Sequence, residues 1–233
     1  MNRRDLVLVL LFIALGAIFF APLIFGGAVL VPFDNLFRFP PWNIFRAQMG
    51  ISVPQNELVS DLVLENYAWK NFILDSFHAG ELPLWNPNLF SGVPFLAAGQ
   101  HSALYPFSIL FYLLPIDRAY GYFVALQFLI ALLAMYAFAR VIALSRFAAC
   151  LSAIVYAFSG FFVVSTAFPM VLGAAAWLPA ILACVELIVQ AKNFVRALFF
   201  AILGATAFDR RNDRCRDRVR RRATHSIIRV GAK

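Results

Sequence analysis

The chain alternates long apolar runs with short charged turns, and one long aromatic, proline-rich interval between Pro32 and Ala103 breaks the pattern. Leu6 to Phe33 carries no charge, and at about 1.5 Å per residue such a run exceeds the roughly 30 Å of hydrocarbon in a bilayer. It predicts a first span over residues 6–31. Arg3 and Arg4 would also flank a signal peptide, but the run is about twice the length of a signal core, so a retained anchor is expected. After the interval, residues 119–139, 147–167 and 171–190 predict three further spans. Residues 195–208 start another apolar run that is short for a crossing, so it reads as a truncated fifth span. Residues 104–115, bracketed by Pro106 and Pro115, predict a re-entrant or interfacial element.

The fold class expected is an all-α polytopic membrane protein, residues 1–208, with about four to five transmembrane helices. A large extracytoplasmic loop containing short helices, residues 32–103, would join the first two. Composition agrees, since 62% hydrophobic and 14% charged residues leave too little polar material to coat a soluble globule of 233 residues.

Charge placement orients the spans. Arg3 and Arg4, Arg140 and Arg146, and Lys192 and Arg196 all fall on one side if the spans alternate. That side is expected to be cytoplasmic, with the amino terminus inside and the first large loop outside. Seven carboxylates against four bases between Pro32 and Arg118 fit an external loop. The net charge of +8 is concentrated in residues 209–233, which hold ten Lys/Arg and three Asp/Glu and no Leu or Phe. Three readings of that tail stay open: a polybasic segment for anionic lipid or nucleic acid, a solvated disordered end, or an out-of-frame translation from Asp209. The last is preferred, so no function is assigned there and no nucleic-acid partner is expected.

The long loop is where chemistry is expected, because so apolar a chain has little use for a long spacer. Leu58 to Ala79 has helical periodicity through Leu62, Trp69 and Ile73, with Ser60 as cap and Gly80 as stop. On such a helix Asp61 and Glu65 share a face, with Asn66 and Lys70 as a second four-residue pair beside them; a solvated polar face gives the same pattern. Asp34 follows the first span directly, where apolar surroundings would raise its pKa and suit it to general-base work; an ordinary span-terminating residue is the alternative. Cys150 and Cys184 fall in predicted spans and Cys215 in the tail, so no disulfide framework is expected. His78 and His101 have no companion cysteine, and no metal site is predicted.

Several separated stretches then carry a resemblance: Ser60-Asp61-Leu62-Val63, Gly80-Glu81-Leu82-Pro83-Leu84-Trp85-Asn86-Pro87, Phe90-Ser91-Gly92-Val93-Pro94-Phe95, Gly99-Gln100, Tyr105-Pro106 and Tyr156-Ala157-Phe158-Ser159-Gly160-Phe161. In this order they resemble the amino-terminal region of bacterial YfhO-type membrane proteins, a family similar to the GT-C polytopic glycosyltransferases. The resemblance covers roughly residues 1–208. It implies transfer of a sugar from a polyprenyl-phosphate donor to a glycan or lipid acceptor outside the cytoplasm, with the catalytic acids in the first large loop. Asp34 is then the preferred base and Asp61, with Glu65 as substitute, a positioning group for acceptor or a divalent ion. Lys70 or Arg38 would offset phosphate charge, and Trp69 and Trp85 would offer flat faces to a sugar, interfacial anchoring being their alternative role. Asn86, Gln100 and His101 complete the substrate-binding set, and no cofactor is certain. Members of that family are much longer, so the chain is expected to be an amino-terminal piece. A lipid-linked-sugar transporter and a non-catalytic assembly protein remain the competing classes.

Overall fold

A computed structural model describes residues 3–51 and 59–191. The expected segment 195–208, the tail 209–233, Lys192, Arg196, Glu57, Leu58 and Cys215 lie outside the described residues.

The first apolar segment is α1 (Arg3–Phe19) followed by α2 (Ala21–Ile24), shorter than the 6–31 span its hydropathy predicts, and divided. Pro22 supplies the physical reason, because it lacks an N–H and its ring crowds the carbonyl four residues earlier. The ladder is nonetheless carried across the joint by Phe20 N–H to Gly16 O at 2.9 Å and Ile24 N–H to Phe20 O at 2.9 Å. The loop then holds 3₁₀ turns at Phe33–Arg38 and Trp42–Phe45, a π-helical turn at Leu62–Tyr67, α3 (Ala68–His78), the strand pair β1 (Trp85–Asn86) and β2 (Val93–Pro94), a 3₁₀ turn at Pro106–Ile109 and α4 (Leu110–Leu113). α5 (Ile116–Val141), α6 (Arg146–Ala157), α7 (Gly160–Val164), a 3₁₀ turn at Ser165–Ala167 and α8 (Pro169–Gln190) follow. The chain is mostly helical. Among the described residues three helical segments, Ile116–Val141, Arg146–Ala167 and Pro169–Gln190, are long and apolar enough to cross a membrane.

α5 is the central post, packed on α8, α6 and α1. Ala131, Ala149, Ala153, Ala157 and Ala176 are fully buried at these contacts, and such small side chains let helix backbones approach where dispersion and hydrogen bonds, rather than water exclusion, drive association. Phe20 meets Phe128 edge-on at 5.1 Å, and Phe128 meets Phe162 at 5.7 Å. On α6 the outward stripe Phe147, Leu151 and Val155 is exposed, at the four-residue spacing of a single helix face.

One end of the bundle is stitched by charge. Asp5 Oδ1 accepts from Tyr136 Oη at 2.9 Å and from Arg146 Nε at 3.1 Å, while Arg140 donates to Leu144 O and Ser145 caps α6 by accepting from Ala148 N–H at 3.2 Å. The start of α1, the end of α5 and the start of α6 therefore meet at this end. α1 runs back along α5 from there, since Phe12 packs on Tyr136, Phe19 on Phe128 and Leu23 on Gly121.

Pro179 lies inside α8 and removes the N–H that would pair with Ala175 O. Tyr156 on α6 replaces it, donating its hydroxyl to Ala175 O at 2.9 Å. Within lipid an unsatisfied carbonyl is costly, so the tyrosine is the compensation for the proline. Replacing Tyr156 by Phe should destabilise the bundle by about 1 kcal/mol, read as a lower unfolding midpoint in detergent. The loss should shrink when the same change is made in a Pro179→Ala background, where the helix supplies its own donor.

Candidate functional site

The described residues of the loop form a platform seated on the end of α5 opposite Asp5. Val31, Leu62, Val63, Phe111, Ile116 and Tyr120 form its buried seat, so the loop and the first turns of α5 share one apolar core. The turn carrying Asp34 packs on the segment carrying Asp61 and Glu65, pinned by Phe33 edge-on to Tyr67 at 5.5 Å. Asp34 is half-buried, whereas Arg38, Asp61 and Glu65 are exposed. The helix expected over 58–79 is corrected in one respect. Ser60 and Asp61 are α-helical, Leu62–Tyr67 is π-helical and Ala68–His78 is α again; the wider turn carries an extra residue per ladder step, a form that recurs at functional sites. Gly80 ends the helix as expected, at φ +74°, with Glu81 N–H returning to Ser76 O at 2.9 Å.

Asn66 and Lys70 turn inward, away from Asp61 and Glu65. Lys70 is 4% exposed, its Nζ donating to His101 O at 2.5 Å and lying 4.4 Å from the centre of the Phe111 ring. Burial pushes the amine down from its ordinary 10.5 to about 7, because no water is left to solvate the ammonium. His101 is itself buried. Its Nδ1 accepts from Ala103 N–H at 3.1 Å and its Nε2 lies 2.9 Å from Phe95 O, which assigns the proton to Nε2. The ring stacks on Phe95 at 4.1 Å.

Two of the stretches that carry the family resemblance prove to be partners of each other. Trp85 pairs with Pro94 and Asn86 with Val93 in an antiparallel register. Asn86 is buried and its Oδ1 accepts from Asn88 N–H at 2.9 Å, forming the turn. Phe90, Ser91 and Gly92 all have positive φ, Gly92 at +111°, and the Trp85 indole lies so close over Gly92 that a Cβ there would fall 2.5 Å from Nε1. Beside this hairpin is an apolar hollow of about 150 Å³ lined by Trp69, Phe90, Val93, Phe95, Gln100 and His101. Three of the expected substrate-binding residues, Trp69, Gln100 and His101, are thus gathered in one place. Trp85 and Asn86 lie on the adjoining strand, and Asp34 and Arg38 are on a different part of the platform.

Sequence reading missed the bond between platform and bundle. Trp177 Nε1 on α8 donates to Tyr105 Oη at 2.8 Å, and Tyr105 Oη donates to Gln127 Oε1 on α5 at 2.9 Å. Gln127 is fully buried and its Nε2, like the hydroxyl of fully buried Tyr120, has no hydrogen-bond partner among the described residues. The available signal was an amide in the middle of an apolar run. Burial pushes the Tyr105 and Tyr112 phenols up, so both stay neutral donors, Tyr112 to Ala103 O at 2.7 Å. Among the described residues no group of three or more His, Cys, Asp and Glu converges in the manner of a metal site. Compared with known proteins, the chain matches no family model, no curated protein and no solved structure.

Two outcomes follow from this geometry. Gly92→Ala should strain the hairpin and displace the Trp85 indole, at a cost of about 1–3 kcal/mol, visible as a shift in tryptophan emission and a lower unfolding midpoint. For Lys70, the unfolded chain holds a proton that the folded chain lacks between pH 7 and pH 10.5, so stability rises with pH across that window and is lowest at and below pH 7. Lys70→Met should flatten that slope, measured as unfolding midpoint against pH in parent and variant.

Proposed function

We propose that the platform is the acceptor-side face of a GT-C-like membrane glycosyltransferase, moving a sugar from a polyprenyl-phosphate donor to a glycan or lipid acceptor outside the cytoplasm. The observation that supports this reading is the packing of the Asp34 turn on Leu62–Tyr67 through Phe33 and Tyr67, which puts Asp34 and Glu65, with Asp61 just before that turn, on one packed body. In the proposed reaction Asp34 accepts the proton of the acceptor hydroxyl as its oxygen bonds to the anomeric carbon, and the bond from that carbon to the phosphate oxygen breaks. Asp61, with Glu65 beside it, orients the acceptor or a divalent cation. Arg38, exposed on the Asp34 turn, is the cation placed to meet phosphate. Lys70 acts from beneath, fixing the His101 segment, while Trp69, Gln100 and His101 line the hollow that would face the sugar and Trp85 and Asn86 shape the strand beside it.

Orientation belongs to the same proposal. Arg146 meets the amino-terminal helix through Asp5, Arg140 lies in the last turn of α5 and bonds to Leu144 O just before α6, and the excess of basic residues at that end supports its cytoplasmic placement. The platform then faces outward, in the plasma membrane of a bacterium.

A second reading, movement of a lipid-linked sugar across the bilayer, is favoured by Gln127, a fully buried amide within a spanning helix of the kind that marks transport paths. Sugar transfer from a polyprenyl-phosphate donor, assayed in membranes carrying the protein with Asp34→Asn or Asp61→Asn, separates the two. Loss of a general base should lower kcat by about 10²–10⁴ for Asp34→Asn, with a smaller loss for Asp61→Asn. Unchanged transfer in both variants overturns the catalytic reading; loss of lipid-linked-sugar translocation in Gln127→Leu with transfer intact supports the second.

A further inference from the structure

Residues 39–51 belong to none of the chemistry above, yet they expose a run of large apolar side chains. Phe39, Trp42, Ile44, Phe45 and Met49 are all exposed, Ile44 by 68% and Met49 by 65%. Five large apolar side chains within eleven residues form a concentrated patch, and on a water-facing surface such a patch is a liability that calls for a partner.

Much of the backbone beneath is paired internally. Phe39 N–H bonds to Leu36 O at 3.0 Å, Asn43 N–H to Phe39 O at 3.0 Å, Met49 N–H to Phe45 O at 3.1 Å and Ile51 N–H to Arg46 O at 3.2 Å. A segment whose peptide groups are paired internally can leave water without orphaning them. Position supplies the second argument. Val31, eight residues before Phe39, is buried in the same cluster as Ile116, the first residue of α5, so the patch follows directly on the level where the chain leaves the spanning bundle. The turn bearing Trp42 also packs on the turn bearing Asp34. Charge supplies the third. No carboxylate occurs between Arg38 and Ile51, while Arg46 lies among the apolar side chains, between Phe45 and Met49, a combination of aromatic and guanidinium groups suited to the headgroup level of an anionic bilayer.

We propose that residues 39–51 are an interfacial anchor that inserts its apolar face into the membrane leaflet on the platform's side and meets anionic lipid phosphate through Arg46. This lies outside the catalytic reading and does not depend on it. It makes the platform a body fixed at both sides, by α5 within the bundle and by lipid at its rim.

The test uses the protein in liposomes of phosphatidylcholine alone or mixed with phosphatidylglycerol, with Trp42 as the sole tryptophan after Trp69, Trp85 and Trp177 are changed to Phe. Trp42 emission should be quenched by lipids brominated near the headgroup, less so by lipids brominated deep in the chain, and should be shielded from acrylamide. Its emission should shift further to the blue in the anionic mixture, and Arg46→Gln should reduce that extra shift. Because the triple substitution removes Trp177 from its bond to Tyr105, a second probe is a spin label on Ile44→Cys in a chain whose native cysteines are Ala. It should be more accessible to oxygen than to a water-soluble nickel chelate. Free quenching by acrylamide with no effect of brominated lipid, or greater access of the nickel chelate at residue 44, overturns the proposal. Shielding that follows protein concentration and ignores lipid bromination also overturns it, in favour of contact with a second copy.

Discussion

Polar groups taken out of water must find partners within the protein, and nearly every distinctive contact in this chain answers that demand. The demand is strongest along α5, which touches each of the other long helices and so has few positions from which a polar side chain can reach solvent. Asp5 reaches into the bundle end to serve Tyr136 and Arg146. Tyr105 reaches from the platform to bond both Gln127 and Trp177. The helices are thus tied at the Asp5 end and again near the middle of α5, with the Tyr156–Ala175 bond as a third polar link, and elsewhere packing relies on alanines and phenylalanines.

The platform uses the same rule on a smaller scale. Lys70 Nζ spans from α3 to a carbonyl thirty-one residues later and rests on Phe111, while both nitrogens of His101 engage backbone groups of its own segment. The loop is long, but little of it is a tether. Its aromatic and proline content fits this, because rigid side chains and fixed φ values reduce the entropy lost when an irregular segment is held in one conformation.

What could be read in advance divides along physical lines. Membrane crossing demands length and apolarity, so 119–139, 147–167 and 171–190 coincide closely with Ile116–Val141, Arg146–Ala167 and Pro169–Gln190. The first segment was over-extended because hydropathy does not register Pro22 or the glycines that follow it. The π turn at Leu62–Tyr67 was out of reach, since a change of one step in the ladder leaves the spacing of apolar residues almost as an α-helix would have it. Asp34, Asp61 and Glu65 were noticed because carboxylates are scarce here. The burial of Lys70, which the sequence offers as a cation to offset phosphate charge, is not legible because lysine is seldom fully buried and its partners, a carbonyl and a ring, leave no pairwise mark in composition. Gln127 could have been noticed on the ground that drew attention to the acids, namely its rarity within an apolar run.

Tyr156 and Pro179 bear on how such a chain changes over generations. The hydroxyl on α6 meets a carbonyl that the proline on α8 leaves open. A lineage that acquired Pro179 first would have carried an orphaned carbonyl in lipid, whereas one that acquired Tyr156 first would have carried only a spare donor with other neighbours to choose from. The tolerable order of substitution is therefore tyrosine before proline. Once both are present the tyrosine is no longer free to drift, although it touches neither the platform nor any candidate catalytic group.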